Sequence, residues 1–173
     1  SALCNTRDVS DAINIYFANT IQSGATQVSG YAYFPGTSSI TNRIFLQVQF
    51  ATDNRTLPHE MGHYFNLLHT FQNSTHANNN EREFVTRDPL QGANCAAKGD
   101  MLCDTPADPY GRDSTNVAGC TYMGTARDPK GLLYAPSLSN IMSYYPILCG
   151  NTFTTGQYAR MNDGILLRTD PSN

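Results

Sequence analysis

Three of the chain's four histidines fall within eleven residues, in the segment LPHEMGHYFNLLHTF (57–71). His59 and His63 are four apart. On a helix they lie one above the other on one face and present two imidazole nitrogens to a single ion. Glu60 stands beside the first, placed to act on a water rather than to join the ligands. Neutral imidazoles with an open fourth position make a catalytic zinc geometry, because structural zinc sites are closed and richer in cysteine. The third histidine, His69, cannot take part if the helix runs on. Six further residues would carry it about 9 Å along the axis and about 240° around it. The helix must therefore stop between His63 and His69, and the chain must double back. Such an exit needs a residue that tolerates positive φ, glycine first and asparagine next. Asn66 stands three residues from each histidine.

The elements that hold this segment can be read from pattern. A helix is expected over about 56–66, with Pro58 in its first turn, where a missing amide hydrogen costs nothing. The first third reads as strands: INIYF (13–17), GYAYFP (30–35) and IFLQVQF (44–50). The last of these sets Ile44, Leu46, Val48 and Phe50 on one face. Residues 70–138 show almost no periodicity and many Asn, Gly, Asp and Pro, so a staple of disulfides or cations is expected there in place of a core. Asp100 and Asp104, among turn formers, could wrap a hard cation in oxygen ligands. In FTTGQYARMNDGILLR (153–168), Tyr158, Met161, Ile165 and Leu166 recur at helical spacing, with Thr154 or Thr155 as the cap.

Composition narrows the class. A chain of 173 residues suits one domain with a core of its own. A formal charge of −3 without a basic stripe argues against nucleic acid and anionic lipid as partners. No apolar run reaches the roughly 18 residues of a membrane span. The sparse charge, the abundance of Asn, Ser, Thr and Tyr, and five cysteines fit a secreted protein. The first residues, SALCNTRDVSD, have neither a basic leader nor an apolar signal segment, as expected of a mature or trimmed chain. NRT (54–56) and NST (73–75) are glycosylation sequons in a eukaryotic host. His76 lies in an Asn-rich loop and is expected to be exposed.

Downstream stands SNIMSYYP (139–146). The motif HExxHxxNxxH followed by such a methionine turn, with a tyrosine two residues on, resembles the metzincin metallopeptidases. Within them it is most similar to the pappalysin family, ulilysin-like enzymes included. TLPHEMGHYFNLLHTF (56–71), GDMLCDTPAD (99–108), NIMSYYPILC (140–149) and FTTGQYARM (153–161) carry the resemblance in the family's order. It implies an α+β metzincin-type catalytic domain: a small twisted mixed sheet with an active-site helix, an irregular segment stapled by calcium and disulfides, a methionine turn and a C-terminal helix. Residues 1–173 would form that single domain, with sheet and active-site helix in 1–69 and the irregular lower part in 70–173. The family's first strand, helix and strand have no counterpart here, and Asn66 replaces a usual glycine.

The resemblance assigns zinc to His59, His63 and His69, and the role of general base to Glu60. Met142 would lie beneath the metal, and Tyr144 would supply a hydroxyl that stabilises the transition state. Calcium would be held by the Asp100 carboxylate and the carbonyls of Cys103 and Thr105. Cys95 would pair with Cys103 and Cys120 with Cys149, leaving Cys4 over. Strand 30–34 would be the cleft edge to which an extended protein or peptide substrate adds. A monomeric, secreted zinc endopeptidase made with an inhibitory pro-segment is the function implied. A preference for basic residues, which some members owe to an acid following the cysteine after the methionine turn, is not expected, since Gly150 follows Cys149. The rival is a catalytically silent zinc-binding or adhesion module, against which the intact Glu60 and Tyr144 argue.

Overall fold

The computed structural model describes residues 2–36, 42–113 and 116–169. They divide into two units, Ser1–Asn66 with Arg160–Asn173, and Leu67–Ala159. The boundary thus falls three residues before His69, and the end of the C-terminal helix belongs with the first unit.

In the first unit a short helix α1 (Ala2–Arg7) precedes strand β1 (Asn14–Ala18), a hairpin of β2 (Gln22–Ser23) and β3 (Thr26–Gln27), then β4 (Gly30–Ala32), β5 (Arg43–Gln47) and helix α2 (Thr56–Tyr64). The sheet has the order β1-β5-β4, so β4 is an edge strand. β1 runs parallel to β5 with Ile15 beside Ile44, and β4 runs antiparallel with Tyr31 beside Phe45. Alternation sends Ile44 and Leu46 to one face, where both are fully buried. There they meet Tyr64, Leu57, Met61 and Phe65 from the helical segment. The other face carries a row of rings, Tyr16 on Phe45 on Tyr31, with centroids 5.4 and 4.7 Å apart.

β5 ends three residues before the expected strand does. Opposite Gln47 the β1 ladder has reached its last residue, Ala18, and β4 begins only at Gly30, opposite Leu46. With no partner left, Val48–Phe50 wind into a 3-10 turn and Val48 is exposed. The Gln47 side-chain amide donates to the Val28 carbonyl at 2.6 Å and closes the strand. Asp53 then starts α2, accepting from the backbone amides of Arg55 and Thr56 at 2.9 and 2.8 Å.

Helix α3 (Thr155–Thr169) opens with a capping box. The Thr154 hydroxyl accepts from the Gln157 amide, and the Gln157 side chain accepts from the Thr154 amide. Three of the four positions that recur at helical spacing do not pack. Tyr158, Ile165 and Leu166 are exposed, while Gln157 and Gly164 are buried. Gly164 decides the orientation: a Cβ there would collide with the Phe65 carbonyl. One turn on, Arg168 lies over the Tyr64 ring and donates to the carbonyls of Tyr64 and Tyr33, both at 2.7 Å. The first of these is one of the C-terminal carbonyls that α2 cannot satisfy itself.

The second unit has little regular structure beyond three short 3-10 turns and the hairpin of β6 (Val117–Ala118) and β7 (Thr121–Tyr122) among its described residues. Disulfides join Cys95 to Cys103 and Cys120 to Cys149. Cys4 is buried and lies outside both. Side chains take over the backbone pairing that helices and sheets would supply. Asn94 bonds the Phe84 amide and the Arg82 carbonyl. Asp128 accepts from the amides of Val85, Lys130 and Leu132. The abundance of Asn and Asp that hides any periodicity is therefore the source of order.

α1 is tied to the sheet by Asp8, whose carboxylate accepts from Arg43 Nε at 2.9 and 3.1 Å and from the Tyr16 hydroxyl at 2.7 Å. Arg43 first, and Tyr16 next, hold the Asp8 carboxyl below its ordinary value of 3.8. That stability is present above the ordinary value and is lost as pH falls through the lower folded one. Asp8→Asn should lower the melting temperature at neutral pH. Melts carried down to about pH 2 should show the difference from the unaltered chain closing across that acid window.

Candidate metal centre

His59 and His63 project from the same face of α2, their rings 4.8 Å apart edge to face. The helix stops at Tyr64 rather than running to 66. Phe65 leaves the helical region, and Asn66 follows with φ +76° while its amide donates to the His63 carbonyl at 3.0 Å. This left-handed residue turns the chain back. The ligand nitrogens of His59, His63 and His69 all lie within 4.8 Å of one another. Three imidazoles so gathered suit zinc, and hard cations far less.

Glu60 is buried against the edge strand β4. Gly30 makes the room: a Cβ there would fall 3.2 Å from Glu60 Oε1 and 2.8 Å from the Phe45 carbonyl. Burial pushes the Glu60 carboxyl up to about 7, against the opposing pull of the Ala32 amide. A carboxyl with that value exchanges protons readily near neutral pH.

Beyond Asn66, the Tyr144 hydroxyl lies 2.9 Å from His69 Nε2. Met142 is fully buried, and its carbonyl accepts from the Thr70 amide at 3.1 Å. Its turn is held by a buried pair of amides: Asn140 donates to Gln157 at 2.9 Å and Gln157 donates back at 3.1 Å. Phe71 stacks on His69 at 4.7 Å and meets the Tyr144 ring at 4.9 Å. Asp108, quoted in the sequence motif but given no role there, is buried and accepts from Thr70, Ser143, Tyr145 and the Tyr110 amide. Nothing in its spacing marks it out, because its partners come from three separate stretches of chain.

Among the residues expected to hold calcium, Asp100 is buried and its Oδ1 accepts from the Leu102 amide and the Thr105 hydroxyl. The Thr105 carbonyl accepts from the Arg87 guanidinium. Glu83, absent from the sequence expectation, is buried beside them. Its Oε1 lies 2.8 Å from Arg87, and its Oε2 has no hydrogen bond among the described residues. Burial pushes Glu83 up to about 8; Arg87 opposes this and the Asp100 carboxylate adds to it. Asp104 departs from the expected pairing with Asp100, accepting instead from the Gly156 amide in the first turn of α3 at 2.6 Å. His76 is exposed.

Mature mirolysin of Tannerella forsythia, solved in complex with a cleaved peptide, matches this fold with a TM-score of 0.54 at 22% identity, over 87% of this chain and 50% of its own. An extracellular metalloprotease of Pyricularia oryzae is 30% identical over 171 residues, 87% of this chain and 47% of that protein. Another, from Arthroderma benhamiae, is 27% identical, over 87% of this chain and 46% of its own. The chain thus spans about half the length of the relatives it matches. Fold and histidine cluster together define an α+β domain with three imidazoles gathered as the ligands of one metal ion would be. The profile of the pregnancy-associated plasma protein-A peptidases matches residues 4–166, and the chain belongs to that family, the pappalysins. No helix among the described residues is long and apolar enough to cross a membrane.

The left-handed turn yields a direct test. Asn66→Gly should keep both metal binding and melting temperature. Asn66→Val should lose about 1–2 kcal/mol or more, because a branched side chain resists positive φ. It should also weaken zinc binding, as read by chelator competition.

Proposed function

We propose that this chain is the catalytic part of a secreted zinc endopeptidase that hydrolyses peptide bonds in proteins. The observation that carries the reading is the gathering of the His59, His63 and His69 nitrogens with Glu60 next to the first of them. These histidines would hold zinc, which supplies an acidified water and a polarised scissile carbonyl. Glu60 takes the proton of the attacking water and delivers it to the departing amine. The Tyr144 hydroxyl donates to the developing oxyanion. β4, the edge strand against which Glu60 lies, accepts the substrate as an added strand through backbone hydrogen bonds. The extracellular names of the relatives support secretion. A silent zinc-binding module leaves unexplained a carboxyl buried beside the histidines and a tyrosine hydroxyl set against His69.

We further propose that calcium is held near Asp100 by its carboxylate and by the carbonyls of Cys103 and Thr105, with Glu83 contributing a second carboxylate. Support comes from the buried Glu83 oxygen and from the mutual repulsion of two carboxylates that a dication would relieve. Arg87, which now bonds the Thr105 carbonyl, would have to yield that oxygen.

Incubation with casein, with and without a zinc chelator, tests the activity. Glu60→Ala should bind zinc with normal stoichiometry and melt normally, yet lose about 10²–10⁴-fold in turnover. Near-normal turnover would sink the assignment. A calcium-selective chelator should lower the melting temperature, with calcium restoring it and zinc failing to. Melting unchanged by calcium removal would end the calcium proposal and leave the zinc reading standing.

A further inference from the structure

One carboxylate near the metal centre plays no part in that chemistry, and it is among the most completely bonded groups of the second unit. Asp108 is 4% exposed. Its Oδ2 accepts from the Thr70 and Ser143 hydroxyls, both at 2.6 Å. Its Oδ1 accepts from the Tyr145 hydroxyl at 3.0 Å and the Tyr110 amide at 2.9 Å. An ionised carboxylate offers about four lone-pair positions, and here every one has a donor. Burying such a group is costly unless its bonds are made, so the arrangement tolerates little displacement of any partner.

The identity of those partners is what matters. Thr70 directly follows His69, while Ser143 and Tyr145 stand on either side of Tyr144. The side chains of His69 and Tyr144 themselves point elsewhere, toward each other, at 2.9 Å. A second tie, from the Thr70 amide to the Met142 carbonyl, joins the same two stretches. Resting on the peptidase reading, we propose that Asp108 is a positioning residue, whose buried carboxylate locks the third zinc ligand and the oxyanion-stabilising hydroxyl into one frame. Its four bonds all go to protein groups. Alanine could not replace it, because all four donors would lose their acceptor.

The clamp has two arms, and they predict different losses. In the full chain, Thr70→Val removes the arm to His69, and Ser143→Ala or Tyr145→Phe removes the arm to Tyr144. Melting without metal reports folding, chelator competition reports zinc affinity, the absorption of the cobalt-loaded protein reports ligand geometry, and a fluorogenic peptide gives kcat and KM. Thr70→Val should weaken zinc about tenfold or more, as loss of a group orienting a ligand does, and should alter the cobalt spectrum. Ser143→Ala and Tyr145→Phe should keep zinc affinity, the cobalt spectrum and KM but lower kcat about tenfold or more, as displacement of a reacting group does. Asp108→Ala should show both losses. If it fails to fold, the three single-donor variants carry the test. Folded variants with normal zinc affinity and normal kcat would overturn the clamp, as would equal zinc loss from both arms. Absence of zinc binding by the unaltered chain would instead overturn the peptidase reading, and this inference with it.

Discussion

A helix can bring two imidazoles together by its own geometry, but not a third six residues further on. That constraint governs the rest of the molecule. α2 provides a stiff platform for His59 and His63, anchored by Leu57 and Met61 against Ile44 and Leu46. His69, having left the helix at Asn66, inherits none of that stiffness. Its position has to be held by the irregular chain that follows, which is why the hydrogen bonds around Thr70 and the methionine turn are so dense. One left-handed residue thus transfers the task of holding a ligand from a helix to a web of side chains.

Carboxylates do much of that work, and their surroundings separate their roles. Glu60, buried with one backbone amide beside it, is left able to gain and lose a proton near neutrality. Asp108 is equally secluded, but with four donors its oxygens are committed. Glu83 lies between these cases, half answered by Arg87 and crowded by Asp100. Burial alone predicts none of this. The number and kind of donors decides how free a buried acid remains to take up a proton or meet a cation.

How far the sequence discloses the site depends on the distance over which its parts communicate. The histidine spacing, Asn66 and the start of α2 involve neighbours a turn or two apart, so helix geometry and φ preference suffice to read them. The α+β class and the strands around Ile44 and Leu46 follow from alternation for the same reason. The end of β5 could not be read, because it is set by where β1 and β4 run out of residues to pair. Nor could the inward face of α3: its exposed Ile165 and Leu166 outrank Gly164 on any apolar scale, yet the glycine makes the closest approach, to Phe65. Glu83 and the role of Asp108 were hidden for a plainer reason, since a polar residue in a loop carries no mark of what the loop will bury against it.

The first unit is discontinuous, and this has a consequence for the order of assembly. Leu67–Ala159 is one uninterrupted stretch and can condense as it emerges from the ribosome. The sheet and α2 are made earlier but lack their last partner, since Arg168 reaches back across 135 positions to the Tyr33 carbonyl and 104 to that of Tyr64. Contacts of such separation close late and slowly. The helix that carries His59 and His63 therefore gains its final contacts, at its C-terminal end, only after the whole intervening chain has been synthesised.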